Sequence, residues 1–158
     1  MVNIVMTRID SGLLHSRVTT HWFSCTGGNL ILVANDRVAE SKLLQGLMDM
    51  AAPSYVAIRY WTIRKTIDTI HKASATQKIF LVCETPADVL ALVEGGVPIK
   101  KVSIGNLYTG DGKRQVTSFV SVDDQDVAAF SRLRDLGVEL EMHRVPSEPA
   151  ENIEKLFR

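Results

Sequence analysis

The sequence predicts an α/β fold with an open, mostly parallel central sheet and helices on both faces, in a single domain over residues 1–158. Short β-rich apolar runs alternate with segments of helical spacing, which is the pattern of right-handed βαβ units. Two of the runs, residues 30–34 and 79–83, are apolar without alternation, as is typical of strands covered on both faces. The 158 residues are 46% hydrophobic, and no repeat or linker divides them, so one core is expected.

The elements can be placed in order from these patterns. The predicted strands cover residues 2–6, 29–34, 56–61, 78–83, 101–104 and 138–142. The predicted helices cover residues 15–25, 38–51, 63–73, 87–94 and 127–136, and Pro149 opens a last short one. Pro86 opens the fourth helix and Gly95 follows its end. Asp123 and Asp124 cap the fifth helix, which ends at Gly137. The polar segment 105–118 is expected to form a surface hairpin or a mobile flap.

Charge and composition exclude several classes of function. Lys and Arg number 18, and so do Asp and Glu, and such a balance argues against general nucleic-acid binding. The longest apolar runs are far shorter than the roughly 20 residues of a bilayer span. The N-terminus has no basic segment followed by a long apolar core. Two isolated cysteines, Cys25 and Cys83, are expected to be reduced and buried, and a cytoplasmic location follows.

The most informative segment is RIDSGLLHSRV, residues 8–18. It places His15 in a short polar loop between the first strand and the first helix. Open α/β sheets bind ligands at the carboxyl ends of their strands, and helix N-termini attract anions. Arg8 and Arg17 flank the histidine, and Asp10 precedes it. A solvent-facing histidine is the commoner explanation for an arbitrary loop, but this setting suits binding or carrying a phosphoryl group.

The other histidines suggest less. His21 is expected to be structural or partner-facing, His71 belongs to a solvated helix face, and His143 ends a strand without an obvious acidic partner. The four histidines do not show metal-ligand spacing, so no metal site is predicted. Neither a phosphate-binding loop of nucleotide triphosphatases nor a dinucleotide fingerprint is present. A nucleotide-binding enzyme or a small hydrolase therefore ranks last.

Asn35 and Asp36 follow the second strand and start a helix, and two explanations stay open for them. N-capping accounts for both residues by itself. If the carboxyl end of the second strand lies next to that of the first, they instead form the rim of the His15 pocket.

These motifs together resemble the IIB component of the mannose/fructose/sorbose family of the bacterial phosphoenolpyruvate-dependent sugar phosphotransferase system. The family pattern runs roughly A/T-R-I-D-x-R-L-I/L-H-G-Q-V and reads TRIDSGLLHSRV here. Further matches, spread over nearly the whole chain, are VANDRVA, MAAP, LVEGGVPI, IGN, GKRQ, VSVDDQD and GVELEMHRVP. Residues 59–96 look most like the N-acetylgalactosamine and galactosamine branch.

The resemblance implies a phosphocarrier, a protein-phosphohistidine–sugar phosphotransferase. His15 would take a phosphoryl group through Nδ1 from the phosphohistidine of component IIA. It would pass the group to a sugar held by the membrane components IIC and IID, and no metal or organic cofactor is implied. The residues expected to support His15 are Asp10, which braces the loop, Arg17, Arg8, Leu14 and Ser16. The surface around His15 is expected to carry apolar and basic side chains for its partners.

The chain departs from the family pattern at three positions. Gly12 stands where the family carries an arginine that ordinarily contacts the phosphoryl group, and Ser16-Arg17 replaces Gly-Gln. Arg17 is expected to restore the lost charge, because a guanidinium is always protonated and binds phosphate oxygens in bidentate fashion. The alternative is a regulatory or binding module on the same fold, impaired in phosphotransfer. The sequence leaves the sugar and the oligomeric state open, a homo-oligomer included.

Overall fold

The structure is a computed structural model that describes residues 1–158. Its strands are β1 Asn3–Ile9, β2 Leu30–Ala34, β3 Ala57–Trp61, β4 Lys78–Cys83, β5 Lys101–Ile104, β6 Arg114–Gln115, β7 Ser121–Val122 and β8 Glu139–Met142. Six of them form one sheet in the order β3-β2-β4-β1-β5-β8, and every pair in it is parallel. The predicted fold class, an open parallel sheet in one domain, is confirmed.

Helical segments connect the strands. A π-helical segment, Val18–Phe23, leads into the short helix α1. The α-helices are α1 Ser24–Thr26, α2 Asp36–Ala39, α3 Lys42–Asp49, α4 Ile63–Thr69, α5 Pro86–Glu94 and α6 Asp124–Asp135. Two 3₁₀ segments, Ile70–Lys72 and Ile153–Phe157, follow α4 and end the chain.

Alternating residues of the central strands build two separate cores, because successive side chains of a strand point to opposite faces. Ile79 and Leu81 of β4 belong to a cluster of 22 buried residues that includes Leu92 of α5 and Leu133 of α6. On the other face, a cluster of 10 buried residues covers the sheet. It consists of Leu13, Leu14, Val18, Trp22, Phe23, Ile31, Val33, Val38, Phe80 and Val82. The loop that carries His15 is therefore anchored through its own leucines.

Several elements differ from their predicted bounds. β1 continues to Ile9 because Thr7 and Arg8, although polar, pair with β4 and are buried. The helix predicted over 38–51 is two helices, α2 and α3, and the Ser41 side chain caps the second by accepting a bond from Leu44 N. The segment 105–118 contains β6, which pairs with β7 as a small antiparallel hairpin. Cys83 is buried as predicted, whereas Cys25 is exposed, so the expectation for Cys25 was wrong.

Candidate active site

The loop after β1 lies near the middle of the sheet, between the ends of β4 and β5. Asp10 N donates to Cys83 O at 2.9 Å, and Ser11 N donates to Asn106 O at 2.7 Å. These bonds fix the loop to both neighbouring strands. Leu13 adopts a left-handed backbone, with φ of 56°, which is uncommon for a leucine and is a conformation that recurs at functional sites.

His15 sits against the carboxylate of Asp10. Its Nε2 lies 3.1 Å from Asp10 Oδ1, and the side chain is 29% exposed. Nε2 is buried and has no aligned hydrogen-bond partner, so this approach is an electrostatic contact. Nδ1 makes no hydrogen bond and is not buried. The ring therefore presents one nitrogen to the protein and the other to the outside.

Asp10 is fully buried and holds the loop in shape. Its Oδ1 accepts a bond from Gly12 N at 2.8 Å, and its Oδ2 accepts one from the Asn106 side chain at 3.0 Å. A buried carboxylate needs such partners because desolvation of its charge is costly. These bonds tie Asp10 to its own loop and to the segment after β5, and its supporting role in phosphoryl transfer stays a prediction.

A row of free backbone donors follows. None of the N–H groups of residues 14–17 donates to a backbone carbonyl, and the first helical bond runs from Thr19 N to His15 O at 3.1 Å. Successive free N–H groups after a left-handed residue form an anion-binding concavity. Leu14 itself is buried in the smaller core and Ser16 is exposed. Leu14 can therefore bind an anion only through its backbone N–H, whereas Ser16 can use its backbone N–H or its hydroxyl.

A cavity of about 260 Å³ opens beside His15. Its lining is mostly polar and basic: Arg8, Asp10, His15, Arg17, Val18, His21, Asn106, Arg144 and Val145. Arg17 and Arg144 are exposed, so their guanidinium groups can turn toward a ligand. Arg144 currently pairs with Glu148, and this hydrogen bond raises the pKa of Arg144 and lowers the pKa of Glu148. The arrangement suits a small anion.

Arg8 lines the same cavity, and both of its terminal nitrogens already donate within the protein, whereas its buried Nε has no partner. Nη1 donates to Ser103 Oγ and to His143 O, both at 2.8 Å, and Nη2 donates to Arg144 O at 3.1 Å. The guanidinium also lies over Trp22, 4.2 Å from the ring centroid. Burial lowers the pKa of Arg8 to about 10, so it stays charged at neutral pH. These bonds make Arg8 a scaffold for the segment that bears Arg144, and its expected role in phosphate support stays a prediction.

Asn35 and Asp36 do not meet His15. β4 lies between β1 and β2, so the carboxyl ends of the first two strands are not neighbours, and that expectation was wrong. The Asn35 side chain caps α2 by accepting a bond from Val38 N at 3.0 Å. Asp36 accepts a bond from Ile63 N at 2.8 Å. Both residues therefore have the capping and connecting roles that were the simpler explanation.

Gly12 is crowded on the side of its missing Cβ. A Cβ there would lie 2.7 Å from the Tyr108 hydroxyl and 3.0 Å from His15 Cδ2. Tyr108, which is exposed, thus occupies the space in which a side chain at position 12 would begin. Cδ2 is bonded to Nε2, so a side chain at position 12 would begin beside the ring edge that lies away from Nδ1.

Sequence reasoning missed Asn106 and Arg144 as parts of the site, and it described His21 as structural or partner-facing. Asn106 and Arg144 follow β5 and β8, at the same sheet edge as His15. Their positions after predicted strands were a usable signal, but the strand order was needed to bring them together. His143 also has an acidic partner that was not foreseen, since its Nδ1 lies 2.8 Å from Glu141 Oε1.

No group of three or more His, Cys, Asp or Glu side chains is arranged to hold a metal ion. No helix combines the length and apolar character that crossing a membrane requires.

Comparisons with known proteins agree with one another. Residues 4–158 match the family model described as the PTS system sorbose subfamily IIB component. The N-acetylgalactosamine-specific phosphotransferase enzyme IIB component 2 of Escherichia coli K12 is 49% identical, covering 99% of this chain and 100% of that protein. The crystal structure of the N-acetylgalactosamine-specific IIB component 1 from E. coli has a TM-score of 0.92 at 44% identity and covers 96% of this chain and 99% of its own. The mannose-specific EIIAB component of E. coli K12 is 36% identical over 92% of this chain and 46% of that longer protein.

Proposed function

This chain belongs to the sorbose subfamily of IIB components of the phosphotransferase system, and from that premise we propose that His15 is the residue that carries the phosphoryl group. IIB components of this family are phosphotransferases that receive phosphate from component IIA and pass it to a sugar.

The observation that supports His15 most strongly is the unequal setting of its two ring nitrogens. Nε2 is buried 3.1 Å from Asp10 Oδ1, whereas Nδ1 is accessible. The carboxylate favours the neutral tautomer with its proton on Nε2, which leaves the Nδ1 lone pair facing outward. In the transfer step, the bond between Nδ1 and phosphorus forms as the bond between phosphorus and the donor's histidine nitrogen breaks. Asp10 then balances the positive charge that develops on the ring.

The surroundings of Nδ1 can hold the transferred group. The free N–H groups of residues 14–17 and the guanidinium of Arg17 offer donors to phosphoryl oxygens. Phosphoryl transfer depends mainly on positioning and on stabilising charge, and this site supplies both without a metal. Arg144, which also lines the cavity, is a second cation that we include in the site. These cations support a working carrier in spite of Gly12.

The partners and the sugar follow from the relatives. Two relatives are named for N-acetylgalactosamine, which supports that sugar, or the related galactosamine, as the acceptor. The mannose-specific relative is named as an EIIAB component, which supports a IIA protein as the donor. Membrane components IIC and IID would hold the sugar, and the chain would work in the cytoplasm.

The test is phosphorylation of the purified protein. The general phosphotransferase proteins, the cognate IIA component and phosphoenolpyruvate should produce an acid-labile, base-stable adduct at His15. His15→Ala should abolish labelling, while His71→Ala, which removes a histidine of the 3₁₀ segment Ile70–Lys72, should leave it intact. Full labelling of His15→Ala would refute the assignment. If the unaltered chain accepts no phosphate from any IIA, the impaired regulatory or binding module becomes the better description.

A further inference from the structure

An apolar stripe on the outside of α3 is left uncovered. Leu43, Leu47 and Met50 are 75%, 57% and 84% exposed, and Tyr55, in the loop that follows, is 86% exposed. The spacing of 43, 47 and 50 puts these side chains on one face of the helix. The other face of α3 packs inward, because Leu44 and Met48 contact the smaller core. Contiguous exposed apolar side chains of this kind mark interaction sites more often than single ones do.

The stripe is connected to the His15 loop. Thr19 donates its backbone N–H to His15 O at 3.1 Å, and its hydroxyl donates to Ala51 O at 2.8 Å. Ala51 directly follows Met50. The end of the stripe therefore lies next to Thr19, one helical turn beyond His15 along the chain, so a protein that covers His15 can extend onto the stripe.

Charge indicates which partner fits best. The cavity beside His15 presents Arg17 and Arg144, and an unphosphorylated carrier leaves these cations without a phosphoryl group. A donor protein that arrives with a phosphohistidine brings the complementary dianion. When the carrier later meets its sugar-holding acceptor, its own phosphoryl group already occupies the cations. The charge of Arg17, which pairs with no acidic side chain, is thus available only to the donor, whereas Arg144 would exchange its partner Glu148 for the phosphohistidine.

We propose that the stripe, Leu43, Leu47, Met50 and Tyr55, is the docking surface for the phosphorylated IIA component. The inference rests on the proposed function and adds to it the surface and the partner. Apolar contacts on the stripe would stabilise the complex. The cations beside His15 would orient the donor's phosphohistidine toward His15 Nδ1. A relay complex should be transient, so a small apolar patch beside a charged site is sufficient.

The experiment compares the double variant Leu43→Gln/Leu47→Gln with Leu136→Gln. Glutamine keeps a high helix propensity, and both leucines of the pair are exposed, so the fold should be preserved; circular dichroism and thermal unfolding check this. Leu136 is also exposed, but it lies just before β8, at the amino ends of the parallel strands, whereas His15 lies at their carboxyl ends. Initial rates of phosphoryl transfer are measured against the concentration of phosphorylated cognate IIA. The double variant should raise the half-saturating concentration about tenfold with the maximal rate unchanged, and Leu136→Gln should match the unaltered chain.

Separate readouts distinguish the other occupants. Carrier that has been fully phosphorylated at saturating IIA should deliver its phosphoryl group to sugar in IIC/IID vesicles at the unaltered rate. Three results for the double variant would each overturn the inference. They are an unchanged half-saturating concentration of IIA, slower delivery of the phosphoryl group to the vesicles, and loss of a dimer that the unaltered chain forms in sedimentation velocity. His15→Ala should still bind IIA in a direct binding assay, whereas the stripe variant should bind weakly. Failure of His15 labelling in the unaltered chain would refute the proposed function instead, so the two failures are distinguishable.

Discussion

Arg8 and Arg17 flank the same loop, yet burial gives them different tasks. Arg8 is 1% exposed, and its two Nη atoms donate hydrogen bonds to Ser103 and to two carbonyls of the segment after β8. Arg17 is exposed at the helix start and lines the cavity beside His15. Sequence alone treats both as cations near a histidine. Only Arg17 is exposed with its whole guanidinium free of protein partners, so we expect it to stabilise the transferred phosphoryl group.

Replacing Arg17 therefore tests the active site directly. A charge-assisted hydrogen bond contributes roughly 1.5–3 kcal/mol, so Arg17→Gln should slow phosphorylation of His15 about tenfold to a hundredfold if that energy acts in the transition state. Arg37→Gln is the matched control, because Arg37 is an exposed arginine that pairs with Glu84 and does not line the cavity. Equal rates for both variants would show that Arg17 is a bystander. The measurement is single-turnover transfer from phosphorylated IIA.

Gly12→Arg tests whether the missing family arginine can be restored. Tyr108 crowds the position of the new Cβ at 2.7 Å, but the contact is with the far end of an exposed side chain that can swing away. In an Arg17→Gln background, Gly12→Arg should recover most of the lost rate, because a guanidinium is again supplied beside the loop. Adding Tyr108→Ala should make this rescue more complete. If Arg17→Gln has no effect and Gly12→Arg alone raises the rate greatly, the natural chain is an impaired carrier.

At the scale of elements, Arg8 of β1 ties the carboxyl ends of β5 and β8 together. Its removal leaves Ser103 Oγ and the carbonyls of His143 and Arg144 without these donors. Arg8→Met should lower the free energy of unfolding by about 2–4 kcal/mol, since buried polar groups that lose a charged partner are costly. Urea denaturation measures the loss, and hydrogen exchange should show faster opening of residues 143–148. Arg17→Met, an exposed change, serves as the control and should cost little.

The N-terminus of α6 offers a test of pH dependence. Asp123 accepts the Asp126 N–H at 2.8 Å, and the Asp126 carboxylate accepts the Asp123 N–H in return. The first bond, with help from Lys113, lowers the pKa of Asp123. Its stabilisation is therefore fully present above the usual pKa of an aspartate and is lost as pH falls through the lowered value. Asp123→Ala should cost about 1 kcal/mol at neutral pH, and the difference should vanish in acid; a pH-independent difference would contradict this.

Elements with strong local patterns could be predicted closely, and those set by tertiary contacts could not. β4 and β5 have their predicted bounds, and the capping of α6 by Asp123 was foreseen from sequence. The break between α2 and α3 comes from Ser41, which starts a new cap within a continuous apolar pattern. The π-helical segment Val18–Phe23 has no local sequence signal, because its form depends on packing Val18, Trp22 and Phe23 against the sheet.

At the scale of the whole molecule, the site exists because the topology collects segments that are distant in sequence. His15 follows β1, Asn106 follows β5, and Arg144 follows β8, and these three strands are consecutive in the sheet. The carboxyl edge of a parallel sheet is where such folds bind ligands. His15 and Asp10 could be selected from sequence because they share one loop. Arg144 could not, since strand order is fixed by long-range packing, and the same lack of strand order misplaced Asn35 and Asp36.

If the cavity beside His15 binds anions as we propose, the stability of the whole domain should depend on phosphate. A ligand that binds only the folded state at ten times its dissociation constant adds about 1.4 kcal/mol, which for a chain of this length raises Tm by about 3–6 °C. Millimolar phosphate should produce this shift in the unaltered chain and in Arg37→Gln, because both keep the free N–H groups of residues 14–17 and the cation Arg17. Arg17→Gln should show a smaller shift. Sodium chloride at equal ionic strength controls for screening. If sodium chloride raises Tm as much as phosphate does, or if Arg17→Gln shows the same shift as the unaltered chain, phosphate acts on the general surface and not in the cavity beside His15.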